Sequence, residues 1–542
     1  MLDALLWSVT EQKCESKLRA ITLSSESVLR APVISNRAML SGFPQDVEMD
    51  IKKKIQTLFS PRSVAIVGAS RAIGKWGFTF LLHLTRGGYK GAVYPVNPAG
   101  GHLLGRKVYP SLKDIPGPVD LAFILLPPDK VARAITDCGE ISIPACVVIT
   151  AGFQELGPAG RELEEKIVNA ARDVHIAMVG PNCGGISSPH PMNLYCMMQP
   201  AFAPPGNIAI VSQSGNLASS IQYMFWKQEI GISRCVSVGN QALLKTEDFL
   251  EYLITDEQTK VIVVYLEGVP DGNRFMDVAR RLTRVKPLIV IKGGQSETGI
   301  RAAESHTGAI AGSDVVFDGM CKQCGIIRVK DVEDMFDTAV AFLSQPLPAG
   351  NRVGIVANGG GWGVLTADAC VEAGLDVVVL PEETLQALDK RLPPWWNRQN
   401  PVDLVAGMSR GAFYKAVEIL CKCDVIDGLI ALGFGYGNPN TAALGSIPDD
   451  ENLNISGYIE ATLSSDKRGM NFLLDMIKLH QKPVLLSSEF IVGADLDHNE
   501  AVLALRRNNV LIYPSSRRPA QVLARLARYS KYLKNEVHLL RN

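Results

Sequence analysis

Residues 206–218 read GNIAIVSQSGNLA, and residues 350–365 read GNRVGIVANGGGWGVL. Each is an apolar, β-branched run, then a turn of small residues, then the opening of a helix. The parallel continues downstream. An apolar strand introduced by Lys-Pro follows in each half, KPLIVIKGG from 286 and KPVLLSSEF from 482. One supersecondary order met twice is the signature of an internal repeat. It predicts two flavodoxin-like α/β domains, 206–345 and 350–532, joined through LSQPLPAGN (343–351).

Ahead of the repeat, SVAIVGAS, GAVYPVN, LAFILLP, ACVVITAG and IAMVGPN are short buried-type strands separated by amphipathic segments. That alternation predicts a parallel, Rossmann-like sheet over 49–199, closing near Asn193 and followed by the Pro-rich linker PAFAPPGN (200–207). Residues 1–48 lack strong periodicity and are expected to form a poorly ordered extension, with a helix starting at Met49. They carry Asp3, Glu11, Glu15 and Glu26 and no basic end before an apolar core, which argues against a secretory signal.

The bulk composition narrows the function classes. A chain of 542 residues exceeds one hydrophobic core. Fifty-five basic against 55 acidic residues give no electrostatic case for nucleic acid or an anionic membrane as partner. No run reaches the roughly 18 apolar residues of a membrane span. Eleven cysteines without pattern suit a reducing cytoplasm. Cys321-Lys-Gln-Cys324 lacks a second pair, so no metal site is expected.

Three glycine-bearing turns could cradle phosphate. The first, Gly68-Ala69-Ser70-Arg71-Ala72-Ile73-Gly74, lies between strand and helix, where small residues admit a ligand and a helix N-terminus favours an anion. It is also compatible with a ligand-free βα turn, or with a short-chain dehydrogenase, for which Tyr223 and Lys227 supply a Tyr-x-x-x-Lys pair. A dinucleotide site wants an acid at the end of the second strand, but that strand ends VNPAGG. Tyr223 is expected on an apolar helix face with Ile221 and Phe225, in another domain. The other turns are the repeated ones, Ser212-Gln213-Ser214-Gly215-Asn216 and Asn358-Gly359-Gly360-Gly361. Two helix ends converging on one point would hold a dianion.

His306 sits in RAAESHTGAIAG (301–312), among neighbours too small to hide a ring. A loop histidine taken alone is more often structural. A phosphoryl-carrying histidine would need an unprotonated nitrogen, a carboxylate to fix the tautomer, small neighbours and nearby backbone donors. VIVVYLEGV (261–269) places Glu267 at the end of a buried strand, where it is either a solvated strand-end acid or that carboxylate.

These residues resemble a known family. Ser305-His306-Thr307-Gly308 followed by AIAGSD is similar to the phosphohistidine segment of nucleoside-diphosphate-forming acyl-CoA synthetases, the ADP-forming acetate–CoA ligases related to succinyl-CoA synthetase. VGAS, VYPVNP, ITAGF, VGPNCGG, VSQSG, LEG, KGG, SHTG, NGGGWGVL and NPVDL occur in the family's order, across roughly residues 50–532. The resemblance implies a Rossmann-like CoA-binding domain followed by two flavodoxin-like ligase domains. It implies that Gly68, Ala69, Ser70, Gly74 and Lys75 line the CoA phosphate turn, and that Val96, Asn97, Pro98, Pro127, Thr150, Ala151, Asn182 and Cys183 face the cofactor. His306 would accept the phosphoryl group and Glu267 would orient its ring, with Ser212 to Asn216 and Asn358 to Gly361 as facing helix ends.

The chain departs from its relatives in two places. Ala99 stands where they often have lysine after Val-Asn-Pro, and QALLK replaces the usual acidic stretch after Val238-Gly239-Asn240. Every segment is assigned without an ATP-grasp portion. The expectation is therefore an α subunit that needs an ATP-grasp β subunit, in a heterotetramer, with ADP or ATP and Mg²⁺ held on that partner. The alternative is a non-catalytic CoA- or acyl-CoA-sensing module of the kind attached to acetyltransferases. The acid itself, and the direction run in the cell, are not legible.

Overall fold

The structure is a computed structural model that describes residues 45–296, 298–299, 301, 313–404, 410–433, 444–445, 447–449, 454–488 and 500–541. The chain divides into two compact units, Met1–Asp50 and Ile51–Asn542. Residues 45–50 of the first are helical, in a helix Gln45–Phe59 that starts earlier than the expected Met49. Residues 1–44, most of the expected extension, lie outside the described residues. Among the described residues, all strands belong to the second unit.

Its first sheet contains β1 (Ser63–Val67), β2 (Ala92–Val96), β5 (Leu121–Ile124), β6 (Ala145–Val148) and β7 (Ala177–Val179), with a small hairpin of β3 (His102–Leu103) and β4 (Arg106–Lys107) set apart. The strand order is β2-β1-β5-β6-β7, parallel throughout. Side chains alternate between faces along a strand. Val64, Ile66, Phe123 and Val147 enter one apolar cluster, while Ala65, Val67, Ile124 and Val148 enter another. Helices cover both faces, which is why the strands read as unbroken apolar runs rather than alternating ones. Burial of a side chain such as Phe123, fully removed from water, stabilises by about 2 kcal/mol.

The second sheet takes β8 (Gly185–Ser188), β9 (Leu194–Met197), β10 (Pro205–Ser212), β11 (Ile232–Ser237), β12 (Val261–Leu266), β13 (Leu288–Lys292) and β14 (Ile327–Arg328), in the order β14-β13-β12-β10-β11-β8-β9. β8 and β9, which precede the expected linker, join this sheet by antiparallel pairing through β11 rather than the first. Gly185, at φ 105°, turns the chain there; a Cβ on it would stand 2.1 Å from the Cys196 carbonyl oxygen. Val211 and Val264 face the same core cluster as Phe123, so apolar packing runs on from the first sheet.

The third sheet has β15 (Arg352–Ala357), β16 (Asp376–Val377), β17 (Val402–Asp403), β18 (Gly428–Leu432), β19 (Val484–Ser487) and β20 (Ile512–Tyr513). The path is β16-β15-β18-β19-β20, with β17 also on β15. A long helix, Arg517–Arg541, ties this sheet to the second. Val522 and Leu526 pack into the third sheet's core and Tyr529 into the second's. Arg518 grips the buried Asp337 with two bonds of 2.5 and 2.6 Å, and Arg525 reaches Asp334 at 2.7 Å. Bidentate pairs of this kind fix register more dependably than they add stability. The fold is α/β, its three large sheets parallel apart from β8 and β9. Among the described residues, no helix is long and apolar enough to cross a membrane.

Candidate functional site

Open parallel sheets bind ligands beyond the carboxyl ends of their strands, where the strand order reverses. In the first sheet that place is between β1 and β5. Gly68 leaves β1 at φ 97°, and a Cβ there would lie 2.5 Å from the Leu125 carbonyl oxygen, so glycine is required. The amides of Gly68 and Ala69 both donate to the Val96 carbonyl at 3.1 Å. Ser70 Oγ accepts from the Ala72 amide at 3.1 Å, and Asn97 Nδ2 donates to the Ala69 carbonyl at 2.7 Å. Lys75 occupies the N-cap position of the next helix, Trp76–Arg86.

A cavity of about 820 Å³ opens from this turn. Eight of the residues that the family resemblance assigned to the cofactor line it: Gly68, Ser70, Lys75, Asn97, Thr150, Ala151, Asn182 and Cys183. The other five do not. Ala69 and Val96 are buried behind the turn, at 2% and 5% exposure, their backbones tied to one another. Gly74, Pro98 and Pro127 lie off the wall, Pro127 because it begins the helix Pro128–Glu140. Thr150 Oγ1 donates to the Leu126 carbonyl at 2.6 Å. Burial pushes the Cys183 thiol up to about 12, which makes it a packing group.

The facing wall comes from the second sheet, at the point where β10 lies between β11 and β12. Gln213, Ser214, Gly215 and Asn216 line the cavity at the start of the helix Gly215–Lys227. Ser214 caps that helix, its Oγ accepting from the Leu217 amide at 3.3 Å. First-turn amides have no acceptor within the helix and present positive charge. A Cβ at Gly184 would stand 2.8 Å from Gly215 Cα, so the turn after β7 meets the helix tip backbone to backbone. Ser212 is not on the wall. It is fully buried, its Oγ accepting from the Ser214 amide at 3.1 Å, and it holds the turn from behind.

Glu267 follows β12, is 9% exposed, and lines the same cavity. Its turn is clamped by Gln213, whose Oε1 accepts from the amides of Glu267 (2.5 Å) and Gly268 (3.1 Å) and whose Nε2 donates to the Gly268 carbonyl (2.8 Å). The Gln213 carboxamide, expected on phosphate, is thus committed to the backbone that carries Glu267. The Tyr265 phenol is hydrogen-bonded to Glu267. Burial pushes that phenol up to about 12, and the neighbouring carboxylate adds to the effect.

The third turn stands elsewhere. Asn358, Gly359, Gly360 and Gly361 lie at the end of β15 and are not on this wall. Asn358 Nδ2 donates to the Gly433 carbonyl at 3.1 Å, and a Cβ on Gly360 would meet Asp403 Oδ2 at 2.7 Å. Of the two repeated turns, the described residues therefore bring the helix end at Ser214–Asn216 to the cavity and not the one at Asn358–Gly361. His306, with Ser305, Thr307 and Gly308, lies outside the described residues.

Other features of the sequence reading change as well. Tyr223 is 43% exposed while Ile221 and Phe225 are buried, because residues two apart in a helix diverge by about 200°. Its ring meets Trp226 edge to face, and Lys227 lies 5.5 Å above it. Cys321 and Cys324 are buried thiols, the first pushed up to about 12 by burial. The cavity also draws in Gln154, Gly239, Asn240 and Gln241, which sequence reasoning did not select. The Val-Gly-Asn turn after β11 was the available signal.

The domain makeup accords with this geometry. Residues 62–189 match the family model of a CoA binding domain, 205–342 that of a succinyl-CoA ligase like flavodoxin domain, and 353–438 that of a Ligase-CoA domain. The chain belongs to the nucleoside-diphosphate-forming acyl-CoA synthetase family. It is 41% identical over 378 residues to the α subunit of ADP-forming acetate–CoA ligase II of Pyrococcus furiosus, covering 69% of this chain and 81% of that one. To the α subunit of ligase I of the same organism it is 36% identical over 483 residues, covering 88% and 98%. Among solved structures it is similar to the dinucleotide-forming acetyl-coenzyme A synthetase 1 of Ca. Korarchaeum cryptofilum in complex with phosphate and ADP, at 35% identity and a TM-score of 0.75, covering 89% and 99%.

Proposed function

We propose that the chain is the α subunit of an ADP-forming acyl-CoA synthetase, interconverting acyl-CoA, ADP and phosphate with carboxylic acid, CoA and ATP. One observation carries this reading. A single cavity gathers the Gly68–Lys75 turn, the turns after β6 and β7, the capped helix tip at Ser214 and the carboxylate of Glu267.

Lys75 and the turn at Ser70 would take the CoA phosphates, since glycine at 68 allows close approach and the lysine supplies a positive charge. Thr150, Ala151, Asn182 and Cys183 would border the arm that carries the thioester. A phosphate oxygen attacks the thioester carbonyl, the C–S bond breaks, and CoA leaves as the thiolate to be protonated. The product is an acyl phosphate. The first-turn amides beyond Ser214 face the charge that develops, in a wall already organised for it. His306 then attacks phosphorus through its unprotonated nitrogen. The P–O bond to the acyl group breaks, and the carboxylate departs. Glu267 accepts the proton-bearing nitrogen's hydrogen bond, which fixes the tautomer and stabilises the charged ring. The phosphoryl group passes next to ADP.

The α-subunit relatives support a partner subunit. We take that partner to be an ATP-grasp β subunit holding ADP or ATP with Mg²⁺, in a heterotetramer located in the cytoplasm. The Asn358–Gly361 turn is off the cavity wall and would serve the phosphoryl group once His306 carries it away from Glu267.

Steady-state assay with that partner, ADP, phosphate and a panel of acyl-CoA thioesters tests the reading. ATP and CoA should form in equal amounts with no AMP, because activation runs through phosphate rather than adenylate. AMP as product contradicts the mechanism. Thioester binding without turnover across the panel favours the acyl-CoA-sensing module instead.

A further inference from the structure

Asn240 lines the cavity and acts as a junction between the two sheets. Its Nδ2 donates to Glu155 Oε2 at 2.9 Å and to Glu164 Oε2 at 2.8 Å. Its Oδ1 accepts from Asn182 Nδ2 at 3.3 Å. Its backbone amide donates to the Pro181 carbonyl at 2.9 Å, and its own carbonyl accepts from Gln154 Nε2 at 3.5 Å. Asn240 belongs to the turn after β11. Every one of these partners belongs to the first-sheet side, on the segments that follow β6 and β7.

The surrounding backbone is held just as closely. Asn182 and Gln241 sit at φ 55° and 56°, and Gly239 at φ 55° would place a Cβ 2.3 Å from the Pro181 carbonyl oxygen. Left-handed conformations at non-glycine residues persist where the surroundings over-determine them, and they gather at ligand sites. Gln241 is fixed in turn, its Oε1 accepting from the amide (2.8 Å) and hydroxyl (2.7 Å) of Thr246 at the start of the helix Thr246–Thr255. The QALLK departure from the relatives' acidic stretch therefore keeps an oxygen acceptor at that helix end. Beyond it, the Ala242 and Leu244 amides donate to the carbonyls of Gly180 (3.1 Å) and Met178 (3.2 Å).

Two carboxylates on one amide repel each other unless donors compensate. Gly152 donates to Glu155 at 2.6 Å and Gln154 to Glu164 at 3.3 Å. Burial raises the Glu164 carboxyl above its usual range. Glu155 is pushed up by burial too, but its bonds from Asn240 and backbone amides bring it below. Asn182 and Gln154, both on the wall, are thereby held at one place, each donating to Asn240. Asn182 is two residues before Gly184, which touches the helix tip at Gly215. The junction thus lies close to the helix tip at Gly215.

We infer that Asn240, anchored by Glu155 and Glu164, is a positioning residue that sets the Asn182 and Gln154 amides against the acyl group of the bound thioester. This rests on the acyl-CoA synthetase reading above. Asn240→Asp puts a third carboxylate where a donor is needed. With the ATP-grasp partner present, it should raise KM for acyl-CoA about tenfold or more and leave KM for ADP unchanged. Reversing the polarity by combining Asn240→Asp with Glu155→Gln and Glu164→Gln restores donors facing an acceptor and should recover most of that loss. A purely structural role predicts no such selectivity between substrates and no recovery. Should Asn240→Asp fail to fold, Asn240→Ser, which removes the amide without adding charge, carries the same expectation.

Calorimetric titration of acetyl-CoA into the chain separates the two readings. Weakened binding in Asn240→Asp alongside a wild type that binds the thioester but does not turn over when the ATP-grasp partner, ADP and phosphate are supplied upholds the positioning role and removes the synthetase. Unchanged acyl-CoA affinity and KM in the folded variants overturns the positioning role.

Discussion

His306→Ala should yield no phosphoenzyme when the chain is mixed with an ATP-grasp partner, labelled ATP and Mg²⁺, whereas the wild type takes up acid-labile, base-stable label. The argument is one of electron pairs. A covalent carrier needs a nucleophile with a free lone pair at neutral pH and a bond to phosphorus weak enough to pass on, and imidazole meets both conditions. Alanine supplies nothing in its place. Loss of a nucleophile commonly costs on the order of 10⁴-fold or more in turnover. The CoA phosphates are assigned to the Gly68–Lys75 turn, on the wall built around the first sheet. CoA affinity should therefore survive the substitution, which distinguishes lost chemistry from lost folding. Label persisting on the alanine variant would move the carrier to another residue.

Glu267→Gln should slow single-turnover phosphorylation by about 10²-fold, within the range of general acid–base and tautomer-fixing groups. A neutral carboxamide cannot stabilise the imidazolium that forms, and it offers the ring a donor as readily as an acceptor. Stability should change little. The turn is held through the Glu267 and Gly268 backbone by Gln213, and glutamine leaves those bonds in place. The Tyr265 hydroxyl, which bonds the carboxylate, can still donate to the glutamine oxygen. Stopped-flow or quench-flow labelling with a parallel thermal melt reads both quantities. Wild-type rates in this variant remove the assigned role.

Much of the fold is legible in local pattern. SVAIVGAS and IAIVSQSG each join a buried strand to a small-residue turn and a helix, and the structure has those elements at β1 and β10. Such pairings are encoded within a dozen residues. What is not encoded locally is harder to read. β8 and β9 cross to the second sheet through pairing with β11, some 50 residues on, which no strand pattern announces. The residues around Tyr223 predict an apolar helix face, and only its exposure and its packing against Trp226 and Lys227 show the outward direction.

The site divides the same way. Glycines betray close approaches, and Gly68 and Gly215 mark the two walls of the cavity. The motif could not say which neighbours face inward. Ala69 and Ser212 hold the turns from behind, while Gln213 turns its carboxamide onto the backbone of Glu267. Asn240 stood in the Val-Gly-Asn turn, but its importance is a matter of partners drawn from residues 154–182. The Asn358 turn repeats the Ser212 turn in sequence, yet its surroundings at Gly433 and Asp403 place it off the cavity. A repeat preserves local geometry but not the company each copy keeps.

The central claim is that this chain itself converts a thioester to a phosphoryl group carried on its own histidine. The direct measurement omits nucleotide altogether: the chain with its partner, an acyl-CoA substrate and labelled phosphate, followed for free thiol and for base-stable label. Release of CoA thiol matched by label on residue 306 is the predicted result. Thiol release that requires nucleotide, or label absent from this chain while turnover proceeds, would contradict it.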